Sequence, residues 1–329
     1  MAVAHRPDPD ADPGYQQDQR EDEEPREHHQ AGQGSQTCDH GTSPSRVDAC
    51  AAAQYAVQRV QTMPVWEAGP VNPLRNALRG DCHVHTDWSD GGASLADMVR
   101  GAAEQGHDYV VITDHSPRLT IANGLTAARL RRQLAEVSEI NAALMGTGLR
   151  VLTGIEVDIL ADGSLDQDPD LLAELDVVVG SVHSGLRDDR AVMTRRMVTA
   201  LADPNLDILG HCTGRKLRVK TDAAHAASRW RPPSDFDADA VFAAALRYDK
   251  AIEVNCRPDR RDPPSELLKR AAGVTGLRFA IDTDAHAVDQ LGWQELGCER
   301  AQTAGLTADR VVNAMDADAL LDWCASHAN

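Results

Sequence analysis

From residue 80 onward, short apolar runs alternate along the chain with longer stretches in which apolar residues recur every three or four positions. Short apolar runs between turn residues are typical of strands buried on both faces, and the longer period indicates amphipathic helices. The pattern predicts seven strands, at residues 80–84, 109–113, 149–157, 176–182, 206–210, 251–255 and 277–281. It predicts helices at residues 94–106, 126–144, 188–201, 237–248 and 264–273.

Regular alternation of strands and helices predicts an α/β fold with a parallel sheet. Seven strands favour a closed β/α barrel over an open sheet. The periodicity by itself leaves a doubly wound sheet open as the alternative, because both folds are built from the same alternating units.

The first 50 residues lack this alternation and are rich in Asp, Glu, Gln, Pro, Gly and Ser. They hold 11 acidic and 4 basic residues, a net charge of −7 out of the −18 of the whole chain. With so few large apolar residues they cannot offset the entropy of ordering, so we predict a disordered acidic tail over residues 1–50. Residues 51–79 are predicted to form a short helix and a connecting segment, which leaves residues 80–329 as the globular domain.

Composition excludes several classes of protein. No run approaches 18 consecutive apolar residues and the first residues carry no signal-peptide pattern, so we expect neither a membrane span nor secretion. The seven cysteines form no CxxC pair, which favours reduced thiols and a cytoplasmic location. The net charge of −18 argues against a broad basic face for nucleic acid.

Nearly every predicted strand ends in a side chain that can bind a metal ion. In a β/α barrel these ends converge on one mouth, and alternate residues of a strand share a side, as His83 and His85 do. Buried imidazoles and carboxylates each need a partner, so this concentration favours a metal site over structural filler. The isolated histidines at 107, 225 and 327 are expected to be ordinary structural or surface residues. The candidate ligands are His83, His85, Asp90, His115, Glu156, His183, His211, Asp284 and His286.

The motifs around these residues occur in order along the chain. They read DCHVHTDWSDG, TDHSPRLTIANGL, GIEVDIL, SVHS, GHCTGR, IEVNCRPDRRDPP and DTDAH. Over about residues 80–315 the chain resembles the PHP (polymerase and histidinol phosphatase) superfamily, and in particular the PHP domain of bacterial family X DNA polymerases. That resemblance implies a distorted (β/α)7 barrel, which agrees with the seven predicted strands.

The resemblance also implies three metal sites. The first would be held by His83, His85, Glu156 and Asp284, and the second by His183 and His211, with Glu156 as a bridge between them. The third would be held by Asp90, His115 and His286. Many relatives carry His where Asp90 stands, and Asp is usual in the polymerase-associated members. Imidazole and carboxylate ligands without thiolate suit two or three divalent ions of Zn, Mn or Fe.

Metal ions in this arrangement predict a hydrolase that acts on phosphate esters through a metal-activated hydroxide. Glu156 would be catalytic as the bridging ligand, and Arg187, Arg215 and Arg257, which closely follow ligands or strand ends, would stabilise charge on the phosphoryl oxygens. A further group is expected to orient the histidines. It comprises Thr113, Asp114 and Asp282.

Three functions remain open. The resemblance favours a phosphodiesterase or 3′-5′ exonuclease that acts on DNA ends and belongs to DNA repair. The acidity favours a phosphomonoesterase for a small metabolite such as histidinol phosphate, and the third alternative is a non-catalytic module that binds a protein partner, whose identity the sequence leaves unknown. The segment ahead of residue 80 is too short for the polymerase core and helix-hairpin-helix elements of the family X enzymes, so we expect a stand-alone PHP protein without polymerase activity.

Overall fold

A computed structural model of the chain describes residues 72–219 and 228–328. The predicted tail at residues 1–50, the predicted helix after it and the isolated histidine at position 225 lie outside these ranges. Residues 72–79 contain one short helix, Pro73–Ala77, which begins with proline after Asn72. The Asn72 side chain accepts a hydrogen bond from the backbone N–H of Leu74 at 2.9 Å, which caps the helix.

The strands of the described residues are β1 (Gly80–Val84), β2 (Tyr109–Ile112), β3 (Arg150–Asp158), β4 (Val177–Ser181), β5 (Ile208–Leu209), β6 (Lys216–Val219), β7 (Ser228–Arg231), β8 (Ala251–Asn255) and β9 (Arg278–Asp282). Seven of them form the main sheet, which is parallel, in the spatial order β1-β2-β3-β4-β5-β8-β9. β1 and β9 then meet, because the backbone N–H of His85 donates to the carbonyl of Ala285 at 2.8 Å. The sheet is therefore nearly closed into a distorted barrel, which confirms the predicted fold and makes the doubly wound alternative wrong.

The predicted helices surround the barrel, and each agrees with its predicted bounds to within two residues. Side-chain caps fix where they begin, since the hydroxyls of Ser94 and Thr126 accept hydrogen bonds from backbone N–H groups of the first turn. The helices are α1 (Pro73–Ala77), α2 (Leu95–Glu104), α3 (Ala127–Ala143), α4 (Pro169–Leu172), α5 (Arg190–Leu201), α6 (Ala238–Arg247), α7 (Ser265–Ala272), α8 (Gln294–Thr303) and α9 (Ala317–Ala325). None of the described helices is long and apolar enough to cross a membrane.

Side chains rather than a regular ladder close the seam between β1 and β9. The backbone N–H of Cys82 donates to Oδ1 of Asp282 at 2.9 Å. The amide of Gln294 donates to the carbonyls of Gly80 and Ile281, at 2.9 and 3.1 Å, and so joins the two strands. This seam matters for function because the two strands lead into His83, His85 and Asp284.

The hairpin formed by β6 and β7 lies outside the barrel sheet and was not predicted. Its strands pair antiparallel, with Leu217 opposite Trp230. Basic residues stand at alternate positions of both strands, so neither strand contains the apolar run that revealed the barrel strands.

Candidate metal centre

The nine predicted ligands lie together at the carboxyl ends of the barrel strands. Each has a nitrogen or oxygen atom within 4.0 Å of another member of the set. His83 lies in β1 and Glu156 in β3, and the other ligands follow the ends of strands. Parallel strands bring these positions to one end of the barrel, as expected for this class of fold.

Glu156 occupies the centre of the cluster, with about 1% of its side chain exposed. Its Oε1 lies 2.9 Å from Nε2 of His211 and 3.4 Å from Nε2 of His183. Its Oε2 faces a different group of imidazoles, namely Nδ1 of His115 at 2.8 Å, Nε2 of His83 at 3.4 Å and Nε2 of His85 at 3.6 Å. One carboxylate thus faces two groups of histidines with different oxygens.

Asp90 lies at the more open side of the cluster, with 35% of its side chain exposed. Its Oδ1 is 3.4 Å from Nε2 of His286, 3.5 Å from Nε2 of His115 and 4.0 Å from Nδ1 of His85. His85 and His115 each have one ring nitrogen near Asp90 and the other near Glu156. These two imidazoles therefore connect the open side with the buried centre.

Asp284 is held in an uncommon backbone conformation, with a φ of 52°. A non-glycine residue in this left-handed region costs on the order of 1–3 kcal/mol and persists where its surroundings enforce it. Oδ1 of Asp284 lies 3.4 Å from Nε2 of His85. Its Oδ2 lies 3.0 Å from both Nε of Arg260 and Nδ2 of Asn255. The surroundings thus fix the carboxylate beside His85.

Several buried atoms of the cluster make no hydrogen bond of acceptable geometry among the described residues, although some of them lie close to one another. A buried polar atom without a partner is costly, and a shared cation supplies one partner for several of them. Ligand atoms lie within 4.8 Å of one another in three overlapping groups: His83, His85 and Glu156; His115, Glu156 and His183; and His85, Asp90, His115 and His286. Nitrogen and oxygen donors in these groups fit divalent ions such as Zn, Mn or Fe. The atoms without such a hydrogen bond are His83 Nε2, both ring nitrogens of His85, His115 Nδ1, Glu156 Oε2, His183 Nε2 and His211 Nδ1.

The pKa values of the buried side chains in the cluster are shifted in different directions. Burial opposes ionisation of Glu156, but the imidazoles of His83, His115 and His183 outweigh it and hold the pKa of Glu156 well below its usual value. Burial likewise opposes the charged form of His183, yet Glu156 and Asp158 raise its pKa to about 9. Burial and the neighbouring rings of His286 and His115 instead lower the pKa of His85 well below its usual value. The centre is an anionic carboxylate surrounded by imidazoles.

Two carboxylates that the sequence did not indicate contact the histidines at the ring nitrogen that faces away from Glu156. Oε1 of Glu253 lies 2.6 Å from Nδ1 of His83, and its Oε2 accepts the backbone N–H of His211. Oδ1 of Asp158 lies 3.2 Å from Nδ1 of His183. Carboxylates behind metal-binding imidazoles fix the ring orientation and tautomer. The available signal was a charged residue within an apolar strand, as in IEVN and IEVD.

The three residues predicted to orient histidines hold backbone and loop groups instead. The carboxylate of Asp114 accepts hydrogen bonds from Thr86, Ser89 and the amide of Gln133, and so fixes the loop after β1. Asp282 accepts the backbone N–H of Cys82, and Thr113 bonds the backbone of the residue before His85. Their effect on the ligands is through the position of β1.

The three predicted arginines do not lie together in the structure. Arg257 lies in the cluster, with Nη1 3.6 Å from Oδ1 of Asp284 and 3.1 Å from Nδ1 of His286. Arg187 donates to the carbonyl of Pro232 at 3.3 Å, and the Arg215 guanidinium lies 4.1 Å from the centre of the Trp230 ring. Arg187 and Arg215 thus contact the β6–β7 hairpin and the residue after it.

The isolated histidines among the described residues make structural contacts. Nε2 of His107 is 3.0 Å from Oε1 of Gln294, and Nδ1 of His327 is 2.7 Å from Oδ1 of Asp207. The cysteines at 82, 212 and 256, which stand beside ligand positions, are buried in the hydrophobic core and form no disulfide.

Comparison with known proteins gives the family. The model of the PHP domain matches residues 81–255, which is more than half of the chain. The chain belongs to the PHP domain family. A PHP-domain chain with this cluster of nitrogen and oxygen ligands is a metal-dependent phosphoesterase.

Relatives with curated names fall into two groups. The PHP chain is 37% identical over 237 residues to the DNA polymerase/3′-5′ exonuclease PolX of Bacillus subtilis (strain 168), and the match covers 72% of this chain but only 39% of that protein. It is 28% identical over 243 residues to a probable phosphatase of Thermoanaerobacter sp. (strain X514), with 71% of this chain and 89% of that protein covered. The structure of histidinol phosphate phosphatase from Lactococcus lactis, complexed with Zn, L-histidinol and phosphate, matches with a TM-score of 0.47 at 16% identity, over 70% of this chain and 94% of that one.

Proposed function

We propose that the PHP domain hydrolyses phosphodiester bonds at DNA 3′ ends, in the manner of a 3′-5′ exonuclease, with two or three divalent metal ions bound by the nine ligands. The main support for metal-dependent hydrolysis is the position of Glu156, whose two oxygens face different groups of imidazoles. The choice of DNA rests on the 37% identity to PolX over 237 residues and on Asp90 in the open part of the cluster.

The ligands are proposed to divide among three positions. His83, His85 and Asp284 would hold one ion, and His183 with His211 a second, with Glu156 bridging the two. Asp90, His115 and His286 would hold a third. His85 and His115 lie close enough to neighbouring sets to be shared, which supports two as well as three ions.

Bound divalent ions would supply Lewis-acid polarisation of the phosphoryl group and lower the pKa of a water molecule. The chain itself supplies orientation. Glu253 and Asp158 accept from Nδ1 of His83 and His183, which leaves Nε2 of each ring directed at Glu156. Arg257 lies between Asp284 and His286 and is the predicted arginine placed to neutralise a phosphate in the cluster.

A phosphomonoesterase for small metabolites is the second candidate. The net charge of −18 favours it, because affinity for DNA draws on many basic side chains. Relatives named as probable phosphatases are also matched over most of their length, 89% in the Thermoanaerobacter protein.

One experiment separates the two candidates. Purified, metal-loaded protein is assayed in parallel on a 3′-recessed DNA duplex and on a panel of phosphomonoesters that includes histidinol phosphate, with Glu156→Gln as the inactive control. We expect metal-dependent release of nucleotides from the DNA end at a higher kcat/KM than phosphate release. Robust phosphate release without DNA cleavage under Zn, Mn or Fe would assign the site to the small-molecule reaction.

A further inference from the structure

Asp90 lies on a loop rather than at the end of a strand. It stands six residues after β1 ends at Val84, farther from its strand than any other predicted ligand. The strand therefore cannot fix its position, and 35% of its side chain is exposed. Oδ1 of Asp90 nevertheless lies 3.5 Å from Nε2 of His115 and 3.4 Å from Nε2 of His286, so other contacts must hold the loop in place.

One arginine joins the loop after β1 to the loop after β2. The guanidinium of Arg129, near the start of α3, donates from Nη2 to the carbonyl of Trp88, two residues before Asp90. From Nη1 it donates to the carbonyls of Asn123 and Gly124, the latter at 3.1 Å. A guanidinium suits this task, because it presents several donors in one rigid plane and so fixes the separation of the groups that it bonds.

The loop after β2 returns to His115, so Arg129 is anchored beside a predicted ligand. The backbone N–H of Leu125 donates to the carbonyl of His115 at 2.7 Å. Gly124 passes so close to Ser116 that a Cβ at this position would overlap the carbonyl oxygen of Ser116. This side of the contact is therefore tightly packed, and the loop after β1 is the part that Arg129 holds.

The same face of α3 supports the loop after β1 at two other points. Nε1 of Trp88 donates to Oε2 of Glu136 at 2.9 Å. The amide of Gln133 donates at 2.6 Å to Asp114, whose carboxylate accepts hydrogen bonds from the loop. Positions 129, 133 and 136 lie three or four residues apart and therefore share one face of the helix. Glu136 and Gln133 contact side chains, whereas Arg129 bonds the backbone of the loop itself.

From these contacts we propose that Arg129 is a positioning residue for the open metal position, which is the one assigned to Asp90, His115 and His286. By joining the two loops it sets the distance between Asp90 and His115, and ligands must be held within about 0.5 Å of the binding geometry. The ligands around Glu156 lie within or next to strands and do not depend on this contact. The inference rests on the proposed function, because it assumes that the cluster binds divalent ions.

The test measures binding of Zn²⁺ to the full-length protein after treatment with a chelator. Competition with chelators of graded affinity gives the dissociation constant of each bound ion. The variants are Arg129→Ala, Arg129→Lys, Asp90→Asn and the double variant Asp90→Asn/Arg129→Ala. The matched control is Arg131→Ala, which removes an exposed arginine of the same helix. Both arginine-to-alanine variants are also measured with guanidinium ion at a non-denaturing concentration, and circular dichroism checks the fold.

We expect Arg129→Ala to weaken the ion that Asp90→Asn also weakens, by about 10-fold, and to leave the other ions as in the wild type. The double variant should bind this ion no more weakly than Asp90→Asn does, because both changes act through one carboxylate. Guanidinium ion should restore most of the affinity of Arg129→Ala and change nothing in Arg131→Ala. Arg129→Lys, which keeps the charge without the planar set of donors, should show a smaller loss.

Wild-type affinity in folded Arg129→Ala, or in Arg129→Lys if only that variant folds, would overturn the proposal. Equal weakening of every ion, or a loss that adds to that of Asp90→Asn, would also overturn it. A wild-type protein that binds no divalent ion would contradict the proposed function and this inference together. Control of one ion by Arg129 in a protein that hydrolyses no phosphodiester would contradict the proposed function alone.

Discussion

Nδ1 of His83 lies 2.6 Å from Oε1 of Glu253, and both side chains are fully buried. The other oxygen of Glu253 accepts the backbone N–H of His211, so one carboxylate positions residues from two strand ends. A buried carboxylate in this place fixes which nitrogen of His83 is available to a metal ion.

We therefore expect Glu253→Gln to reduce metal affinity and turnover by about 10- to 100-fold. The amide is isosteric, so the fold should be retained. Competition with a chelator of known affinity measures the metal loss, and circular dichroism checks the fold. Unchanged metal affinity in a folded variant would contradict a positioning role for Glu253.

Glu156→Gln should abolish hydrolysis, with a larger loss than that of Glu253→Gln. The neutral amide cannot provide negative charge to two cations at once, and its NH2 group would face imidazoles that need an acceptor. Turnover and metal content of the purified variant are measured together. Glu266→Gln, at an exposed position of α7, is the matched control and should behave like the wild type. Near-normal activity of Glu156→Gln would make the bridging assignment wrong.

Metal binding should release protons near neutral pH. The pKa of His183 is raised to about 9, and that of His83 is also raised well above its usual value by Glu156 and Glu253 despite burial. Both imidazoles are therefore protonated on both ring nitrogens, and positively charged, in the metal-free chain at pH 7. A histidine that binds a metal ion must be neutral. Affinity for Zn²⁺ should rise with pH up to about 9 as these protons are lost.

Isothermal titration of chelator-treated protein with Zn²⁺, in two buffers of different ionisation enthalpy, counts the protons released. Elemental analysis of protein purified without chelator should give two or three equivalents of metal. Less than one equivalent after metal supplementation, or binding without proton release, would contradict the ligand set.

The sequence could indicate that the nine candidate ligands meet, because they stand within or shortly after apolar strands and a barrel brings the ends of its strands together. That these residues bind metal ions stays a prediction. The sequence could not predict that Glu253 contacts His83, since 170 residues separate them and only the closed barrel makes them neighbours. The strand predicted at residues 206–210 is shorter in the structure, Ile208–Leu209, because regular pairing with β4 ends at Leu209. The β6–β7 hairpin was missed because neither of its strands contains an apolar run.

His107 should make the fold sensitive to mild acid. Burial lowers the pKa of His107 from 6.5 to about 4, so the folded chain keeps this imidazole neutral where the unfolded chain takes up a proton. Its contribution to stability is present above pH 6.5 and is lost progressively as the pH falls from 6.5 toward 4. The loss should reach about 2 kcal/mol near pH 5.

Urea unfolding of the wild type and of His107→Gln at about pH 7 and about pH 5 tests this. The variant should lose about 2 kcal/mol less than the wild type between the two pH values, because titration of the metal ligands is common to both chains and cancels. Equal losses in the two proteins would show that His107 does not control acid stability. Hydrolysis at neutral pH should be nearly unaffected, since His107 contacts Gln294 and no ligand.

The salt dependence of DNA hydrolysis should be shallow. A protein that neutralises many phosphates releases many condensed counterions, and its affinity then falls steeply with salt. Here the expected contacts are confined to the metal centre and the few arginines beside it, such as Arg257 and Arg260, enough for about two or three phosphates. At limiting DNA, the logarithm of the rate against the logarithm of salt concentration should have a slope of magnitude about 2–3, from roughly 0.7–0.9 per phosphate. A slope of much larger magnitude would contradict the prediction, because it would require a wider DNA-binding face. A slope near zero would also contradict it, because it would indicate that the site contacts only the phosphate ester that reacts and no neighbouring phosphates.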